Sequence, residues 1–258
     1  MSFPMFATLQ MYDFPEARDA TDAWWAAIAR RAGVAVALSR PEDHMGAWAR
    51  SDLVFSQTCG YPFTHGFRGA LTLVGTPHYA VPGCEGFRYR SIVFARGERP
   101  PADYRGATAA VNTPDSMSGM LALKAVFAGH ARVGRFFGRV VLSGGHLKSL
   151  ALLQAGGADV CAIDAVCVEY ARRFHPELLE DLHVVGQSPL VPGLPYVTRE
   201  ADPRRWQEAV AACCADPELA DVRARLMISG FTATKPSDYD AILRLEEDVE
   251  RQGGLALL

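Results

Sequence analysis

Two alternating patterns of apolar and polar positions run along the chain. Short apolar runs bounded by turn residues have the length of buried strands, whereas longer stretches place apolar residues at helical spacing. The runs that predict strands are residues 6–12, 34–38, 52–56, 71–75, 89–95, 108–111, 139–142, 158–163 and 183–186. The stretches that predict helices are residues 16–32, 116–128, 146–155, 165–174, 203–215, 217–228 and 236–251. Strands that alternate with helices in this way predict an α/β fold.

Turn-rich segments near residues 89 and 192 divide this pattern into two lobes. A compact α/β block, residues 89–191, is inserted into a first block made of residues 1–88 and 192–258. Two chain segments would join such lobes, and ligand sites are common in the cleft between two lobes. The sequence therefore predicts a two-lobed α/β protein with a ligand cleft between the lobes.

Composition and charge narrow the range of partners. The chain has 258 residues and a formal net charge of −3. This slightly acidic balance argues against a nucleic-acid partner, which would require a basic face or stripe. Because the sequence contains no run of 18 apolar residues, we do not expect it to span a membrane.

The N-terminal residues and the cysteines bear on location and on cofactors. The first residues do not show the basic, apolar and small-residue regions of a secretory signal peptide. We therefore expect a cytoplasmic protein, or a periplasmic one if the sequence has been trimmed. The six cysteines include no Cys-x-x-Cys pair, so neither a zinc site nor a redox motif is expected. The sequence predicts no metal and no cofactor.

The strongest chemical signal lies between Val111 and Gly119, where a strand leads through a polar turn into a helix. The first amides of a helix lack intrahelical acceptors, and the helix dipole makes that end positive, so it suits an anion. The hydroxyl groups of Ser116 and Ser118 would add donors, Met117 would add its backbone N–H, and Gly119 would let a ligand approach the backbone. The alternative is that Ser116 only caps its helix.

Polar residues also follow two other strands of the same block. Residues 143–146, Ser-Gly-Gly-His, repeat the arrangement of strand, small-residue turn and helix, and Asp164 ends an apolar strand. Parallel strands bring such residues to one edge of a sheet, so we expect His146 and Asp164 beside the anion. The alternatives are a solvent-exposed His146 and an Asp164 that only caps a helix. In the first block, Thr58 and Tyr61 follow a strand in the same way.

The order of these motifs resembles that of the phosphonate-binding proteins of ABC importers, members of the type II periplasmic-binding-protein superfamily. The segments that carry the resemblance are Tyr89-x-Ser91, Asn112 to Gly119, Gly145-His146-x-x-Ser149 and Gly157 to Asp164. The resemblance covers about residues 52–198 and is most specific between 108 and 170. It implies a two-lobed solute-binding protein with a small anionic ligand and an ABC permease as partner.

The resemblance also implies roles for individual residues. In this family the helix start at residues 116–119 clasps the phosphonate, and His146, Asp164 and Tyr89 match further family positions. Met117 departs from the family, which has a threonine there, and a thioether is at best a weak acceptor. A carboxylate, a sulfonate or a more apolar ligand therefore stays open beside a phosphonate. The predicted ligand-binding residues are Tyr12, Thr58, Tyr61, Tyr89, Asn112, Ser116, Met117, Ser118, Gly119, His146 and Asp164.

Three classes of function remain open on the sequence alone. A solute-binding protein needs no catalytic group, and the helix starts fit this class best. On this interpretation we expect that the chain is not an enzyme. An enzyme on the same scaffold would need a nucleophile or an acid–base pair. His146 and Asp164 are the candidate pair, and Cys59 is a weaker candidate that stands alone. A sensor lobe of a regulator would need an attached signalling or DNA-binding domain.

Overall fold

A computed structural model describes residues 5–257 of the chain. Its helices are α1 (Arg18–Arg31), α2 (His44–Ala49), α3 (Gly60–Pro62), α4 (Ala122–Phe127), α5 (His146–Gln154), α6 (Ala165–Phe174), α7 (Arg204–Ala215), α8 (Ala220–Arg225) and α9 (Asp240–Arg251). The chain continues from α3 as a π-helix over Phe63–Phe67, and a second π-helix over Met117–Leu121 leads into α4. Short 3₁₀ turns directly precede α1 and α9, and a separate one spans Gln10–Tyr12.

The strands complete the α/β fold that the alternating pattern predicts, and this prediction is confirmed. They are β1 (Phe6–Thr8), β2 (Leu53–Gln57), β3 (Thr72–Tyr79), β4 (Cys84–Glu85), β5 (Arg88–Tyr89), β6 (Ser91–Arg96), β7 (Thr108–Val111), β8 (Arg139–Leu142), β9 (Val160–Asp164), β10 (Leu182–Gln187), β11 (Val191–Pro192), β12 (Tyr196–Thr198) and β13 (Ile228–Thr232).

The chain folds into two compact units. Unit 1 contains the residues up to Ala80, together with Glu85–Arg88 and Pro192–Tyr239, and unit 2 contains Val81–Cys84, Tyr89–Val191 and the residues from Asp240 onward. The chain passes from one unit to the other after Ala80, Cys84, Arg88, Val191 and Tyr239. Helix α9 belongs to unit 2, because it packs against α4 and buries Ile242, Leu245 and Val249. The sequence pattern instead grouped all of residues 192–258 with the first lobe.

Unit 1 is built on a five-stranded sheet in the order β1-β2-β12-β3-β13. Strand β1 is parallel to β2, whereas β12 is antiparallel to both of its neighbours. An aromatic cluster packs helices α1 and α7 onto this sheet: Phe55 of β2 lies 4.9 Å from Trp206, which lies 6.0 Å from Trp25 between ring centroids. These three side chains are buried and form the centre of the unit's core.

Unit 2 contains the second five-stranded sheet, in the order β10-β6-β9-β7-β8. Strand β7 is parallel to both β8 and β9, while β6 is antiparallel to β9 and β10. The carboxyl ends of β7, β8 and β9 therefore lie at the same edge of the sheet. Asn112 and Ser143 follow the first two of these strands, and Asp164 ends the third.

One predicted strand, residues 34–38, is absent as a regular element. The segment makes a single parallel bridge, between Leu38 and Ala7. The indole N–H of Trp25 donates to the carbonyl of Val36 at 2.8 Å, and the N–H of Val34 donates to Ala29. Because helix α1 takes up these backbone groups, they cannot form a ladder with β1.

The region after Pro192 also differs from the sequence prediction. The predicted helix over 217–228 is a 3₁₀ turn (Pro217–Leu219) followed by the shorter α8. Met227 then adopts a positive φ of 59°, which ends the helical path and starts β13. Neither β13 nor β12 was predicted, although both belong to the sheet of unit 1.

Candidate functional site

The helix that begins after Ser116 has an unusually wide first turn. The N–H groups of both Met120 and Leu121 donate to the carbonyl of Ser116, at 3.1 and 3.0 Å. The side chain of Ser116 accepts from the N–H of Gly119 at 2.9 Å, so Ser116 is a genuine N-cap. Oγ of Ser116 also lies 3.5 Å from Oγ of Ser118, and either hydroxyl can be the donor.

Two backbone N–H groups at this helix start remain for a ligand. Met117 and Ser118 occupy the first turn, where no intrahelical acceptor exists. The π-helix and α4 together form a continuous helix from Met117 to Phe127, long enough for the aligned peptide dipoles to make its N-terminus positive. The Met117 side chain is 1% exposed, so this residue can offer a ligand only its backbone.

Position 119 must be glycine because a neighbouring side chain leaves no room for a Cβ atom there. A Cβ atom at Gly119 would lie 1.8 Å from Oδ1 of Asn112, so Asn112 occupies the space that any other residue would fill. The N–H of Gly119 is already bound to Ser116. The role of Gly119 in bringing a ligand close to the backbone stays a prediction.

The second loop joins the first through Ser118. Nε2 of His146, the first residue of α5, lies 2.7 Å from Oγ of Ser118. Ser143 fixes the loop before α5, because its hydroxyl donates to the carbonyl of Gly145 at 3.0 Å and lies 2.7 Å from Oγ of Ser149. The structure thus joins the two strand–turn–helix motifs by a side-chain hydrogen bond.

His146 is uncharged at neutral pH. Burial lowers the pKa of its imidazole to about 4, and a hydrogen bond with the backbone of Ala162 opposes this shift. The hydrogen bond between Nε2 and Ser118 holds the Ser118 hydroxyl beside the start of the helix.

Asp164 lies at the same sheet edge but has a capping role. Its Oδ1 accepts from the backbone N–H groups of Val166 at 2.7 Å and Cys167 at 3.4 Å, at the start of α6. Burial and the negative charge of Asp164 together raise the pKa of the Cys167 thiol. Ser91 lies opposite Asp164 in the ladder between β6 and β9.

The other predicted residues lie on separate elements. Tyr89 is buried in β5 of unit 2. In unit 1, Thr58 is fully buried and its N–H donates to Pro195. Tyr61 stacks on His65 with ring centroids 3.8 Å apart, and Tyr12 contacts the edge of Tyr79 at 5.2 Å.

The sequence analysis did not select three residues that the structure places at this sheet edge. Ser143 and Ser149 position the loop of His146, and their spacing around Gly145 was the available signal. Ser91 is 1% exposed, and its hydroxyl makes no hydrogen bond with a described residue. For Ser91 the available signal was the Tyr89-x-Ser91 segment of the family resemblance, since its strand pattern alone does not mark it.

The electrostatics of the helix start depend mainly on dipoles. No hydrogen bond links a Lys or Arg side chain to Ser116, Ser118 or His146 among the described residues. Lys148, in the first turn of α5, is the nearby cation, with its Nζ 3.8 Å from the position of a Cβ at Gly144. The arrangement is a concentrated set of neutral donors, which suits a small oxyanion.

Comparison with solved structures identifies the fold. PhnD1 from Prochlorococcus marinus, solved with methylphosphonate, matches with a TM-score of 0.77 and 11% identity over 96% of this chain and 98% of that one. A binding protein component of an ABC phosphonate transporter from Pseudomonas aeruginosa matches with a TM-score of 0.76 and 19% identity, covering 97% and 88%. XAC2383 from Xanthomonas citri, solved with ATP, matches with a TM-score of 0.70 and 16% identity, covering 97% and 98%. No curated protein matches the sequence.

The fold is therefore the one that periplasmic binding proteins have. The model of one family, the periplasmic phosphonate substrate-binding proteins of ABC transporters, matches residues 9–239. The chain belongs to this family, and the resemblance found in its motifs is confirmed. Across the described residues, no helix combines the length and the apolar character needed to cross a membrane.

Proposed function

We propose that this chain binds a small oxyanion, with a phosphonate as the first candidate, as the solute-binding component of an ABC importer. The observation that carries the proposal is the 2.7 Å pairing of Ser118 with His146 at the start of the helix beginning at Met117. This pairing concentrates hydroxyl and amide donors on one helical turn. Membership of a phosphonate substrate-binding family supports the same ligand class.

In the proposed complex the chain's own donors replace the water around the anion. The N–H groups of Met117 and Ser118 and the hydroxyl groups of Ser116 and Ser118 each donate to an oxygen of the ligand. His146 positions the Ser118 hydroxyl through their hydrogen bond. Hydrogen bonds to a charged acceptor are stronger than those between neutral groups, so four donors suffice without a direct guanidinium or ammonium contact.

The proposed role involves binding without bond cleavage. The enzyme alternative needed His146 and Asp164 as an acid–base pair. Asp164 instead accepts from the α6 amides, and Nε2 of His146 pairs with Ser118. Without a carboxylate to orient it, the imidazole fits a ligand-positioning role better than that of a general base.

The proposal also names a partner and a location. A solute-binding component delivers its ligand to a permease, so an ABC permease is the proposed protein partner. The family description is periplasmic, and we propose the periplasm as the place of action.

Calorimetric titration tests the proposal with four probes: methylphosphonate, inorganic phosphate, methanesulfonate and acetate. We expect at least one to bind at one site per chain. Ser118→Ala removes a donor to a charged group, worth about 1.5–3 kcal/mol, and should weaken binding by about 10- to 150-fold. Ser51→Ala, at an exposed turn of unit 1, is the matched control and should bind like the wild type. Absence of binding by all four probes, or unchanged affinity in Ser118→Ala, would contradict the proposal.

A further inference from the structure

A tight hairpin turn in unit 2 has an unfavourable residue at its tip. Arg132 and Arg135 exchange both backbone hydrogen bonds, at 2.9 and 3.0 Å, around Val133 and Gly134, whose φ angles are 51° and 68°. A two-residue turn with positive φ at both positions normally uses Asn, Asp or Gly. A β-branched residue with positive φ is a genuine outlier. We call residues 132–135 the Val133 hairpin.

Folding does not explain the valine at this tip. Its side chain is fully exposed, so it gains no packing in exchange for the strained backbone. Strained residues that persist without a structural benefit are concentrated at functional sites. An apolar side chain held in solvent at a hairpin tip is suited to contact with an apolar layer outside the protein.

The stretch of sequence that contains the hairpin differs in charge from the whole chain. Between Asp115 and Asp159 the sequence has no acidic residue, although the chain as a whole carries a net charge of −3. Five basic residues lie in this interval: Lys124, Arg132, Arg135, Arg139 and Lys148. The three arginines are exposed, and none forms an ion pair with a described residue. Their charge is therefore available to an anionic partner.

The hairpin is firmly anchored at its base. Phe136 is buried, with its ring centroid 5.1 Å from that of Phe127. The guanidinium of Arg105 lies 5.1 Å from the Phe136 ring and donates to the carbonyls of His130 and Arg135. An anchored turn presents its tip without the entropy loss that a mobile loop would incur on binding.

The Val133 hairpin is separated from the candidate anion site by the topology of the sheet. It precedes β8 and so lies towards the amino end of that strand. Asn112, Ser143 and Asp164 lie at the carboxyl ends of β7, β8 and β9. Because these strands are parallel, the two features belong to opposite edges of the sheet. An activity of the hairpin is thus independent of the proposed function.

We propose that the Val133 hairpin, with Arg139, binds the surface of a membrane that contains anionic phospholipids. In this arrangement Val133 enters the boundary between headgroups and acyl chains, and the arginines pair with lipid phosphates. A fluid layer of phosphates can meet exposed arginines without fixed geometry. A nucleic-acid backbone would satisfy the arginines but would leave the apolar tip without a partner.

Vesicle co-sedimentation of the full chain tests this proposal. We expect binding to phosphatidylcholine vesicles that contain about one third phosphatidylglycerol, and none to pure phosphatidylcholine. Binding should be lost in about 1 M NaCl, where the Debye length is about 3 Å. Replacing Arg132, Arg135 and Arg139 by Gln should weaken binding by about 100-fold, at about fivefold per charge. A control that replaces exposed Arg30, Lys235 and Arg244 by Gln removes the same charge and should weaken binding by no more than about twofold.

Val133→Asn provides a second, opposite readout. Asn accepts a positive φ better than Val, so the thermal midpoint should rise, while vesicle binding should weaken because the apolar tip is lost. A raised midpoint with weaker binding supports the proposal. Absence of vesicle binding by the wild type, as expected if the partner were an acidic protein, would overturn it. Equal loss of binding in the control variant, or full binding by Val133→Asn, would overturn it as well.

Discussion

At the scale of single residues, the candidate site depends on the fit between Asn112 and Gly119. The Asn112 side chain fills the space beside the Gly119 Cα, and the Asn112 carbonyl accepts from the N–H of Gly144 in the next loop. Asn112 therefore connects the helix start to the loop that carries His146. A change at Gly119 should disturb both loops.

Gly119→Ala tests this coupling. The added methyl group would lie 1.8 Å from Asn112 Oδ1, and overpacking of this kind costs about 1–3 kcal/mol. We expect a lower free energy of unfolding in urea and weaker anion binding. Gly145→Ala is the matched control, because a Cβ there meets nothing within 4 Å. The double variant Asn112→Ala/Gly119→Ala should recover stability, and failure to do so would show that the clash with Asn112 is not the cause.

His146 makes the stability of the chain depend on pH. An unperturbed histidine has a pKa near 6.5, whereas burial lowers the pKa of His146 to about 4. Between these pH values the unfolded chain binds more protons, so the free energy of unfolding falls as the pH is lowered from about 6.5 towards about 4. His146→Gln keeps a side-chain N–H donor for Ser118 and removes the titration.

Urea unfolding at about pH 7 and about pH 5 measures this effect, since the two values lie on either side of the unperturbed histidine pKa. The wild type should lose more stability than His146→Gln. The variant keeps some dependence, because burial also lowers the pKa of His78. Equal losses in the two proteins would show that His146 is not buried in its neutral form.

At the scale of elements, the sequence predicted the helices and strands that show a repeating pattern or belong to a strand–turn–helix motif. Helices α1 and α7 have enough residues to display a period, β7 and β9 are short apolar runs that lead into turns, and Ser116 marked its helix start. Strand β12 has three residues, too few to show any alternation. Its place in the centre of the unit 1 sheet is set by pairing with β2 and β3, which are distant in sequence.

Parts of the candidate site were beyond sequence reasoning for a related reason. The pattern indicated that Ser118 and His146 would share a sheet edge, but not that their side chains form a hydrogen bond. It also did not indicate that the Asn112 side chain fills the space beside the Cα of Gly119, because this contact forms only when the turn is folded. The π-helical first turn over Met117–Leu121 has no signature in residue types alone.

At the scale of the whole molecule, family membership and local geometry support the same ligand class independently. The family model covers residues 9–239, which include both loops of the candidate site. The departure from the family pattern at Met117 leaves the backbone donor of that position in place, because its side chain is buried. The central claim is that a small oxyanion binds at the helix start of Ser116 to Gly119 and stabilises the folded chain.

Ligand-induced thermal stabilisation of Ser118→Glu tests that claim most directly. A ligand at about 100 times its dissociation constant stabilises the native state by about 2.7 kcal/mol, which corresponds to a rise of about 5–10 °C in Tm for a chain of this size. A carboxylate near a helix N-terminus is favourable, so the variant should fold, but it occupies the anion position and repels the ligand. We predict that methylphosphonate, or the tightest probe of the calorimetric series, raises the Tm of the wild type and of the exposed control Ser51→Glu but not that of Ser118→Glu. A full shift in Ser118→Glu would contradict binding at this helix start.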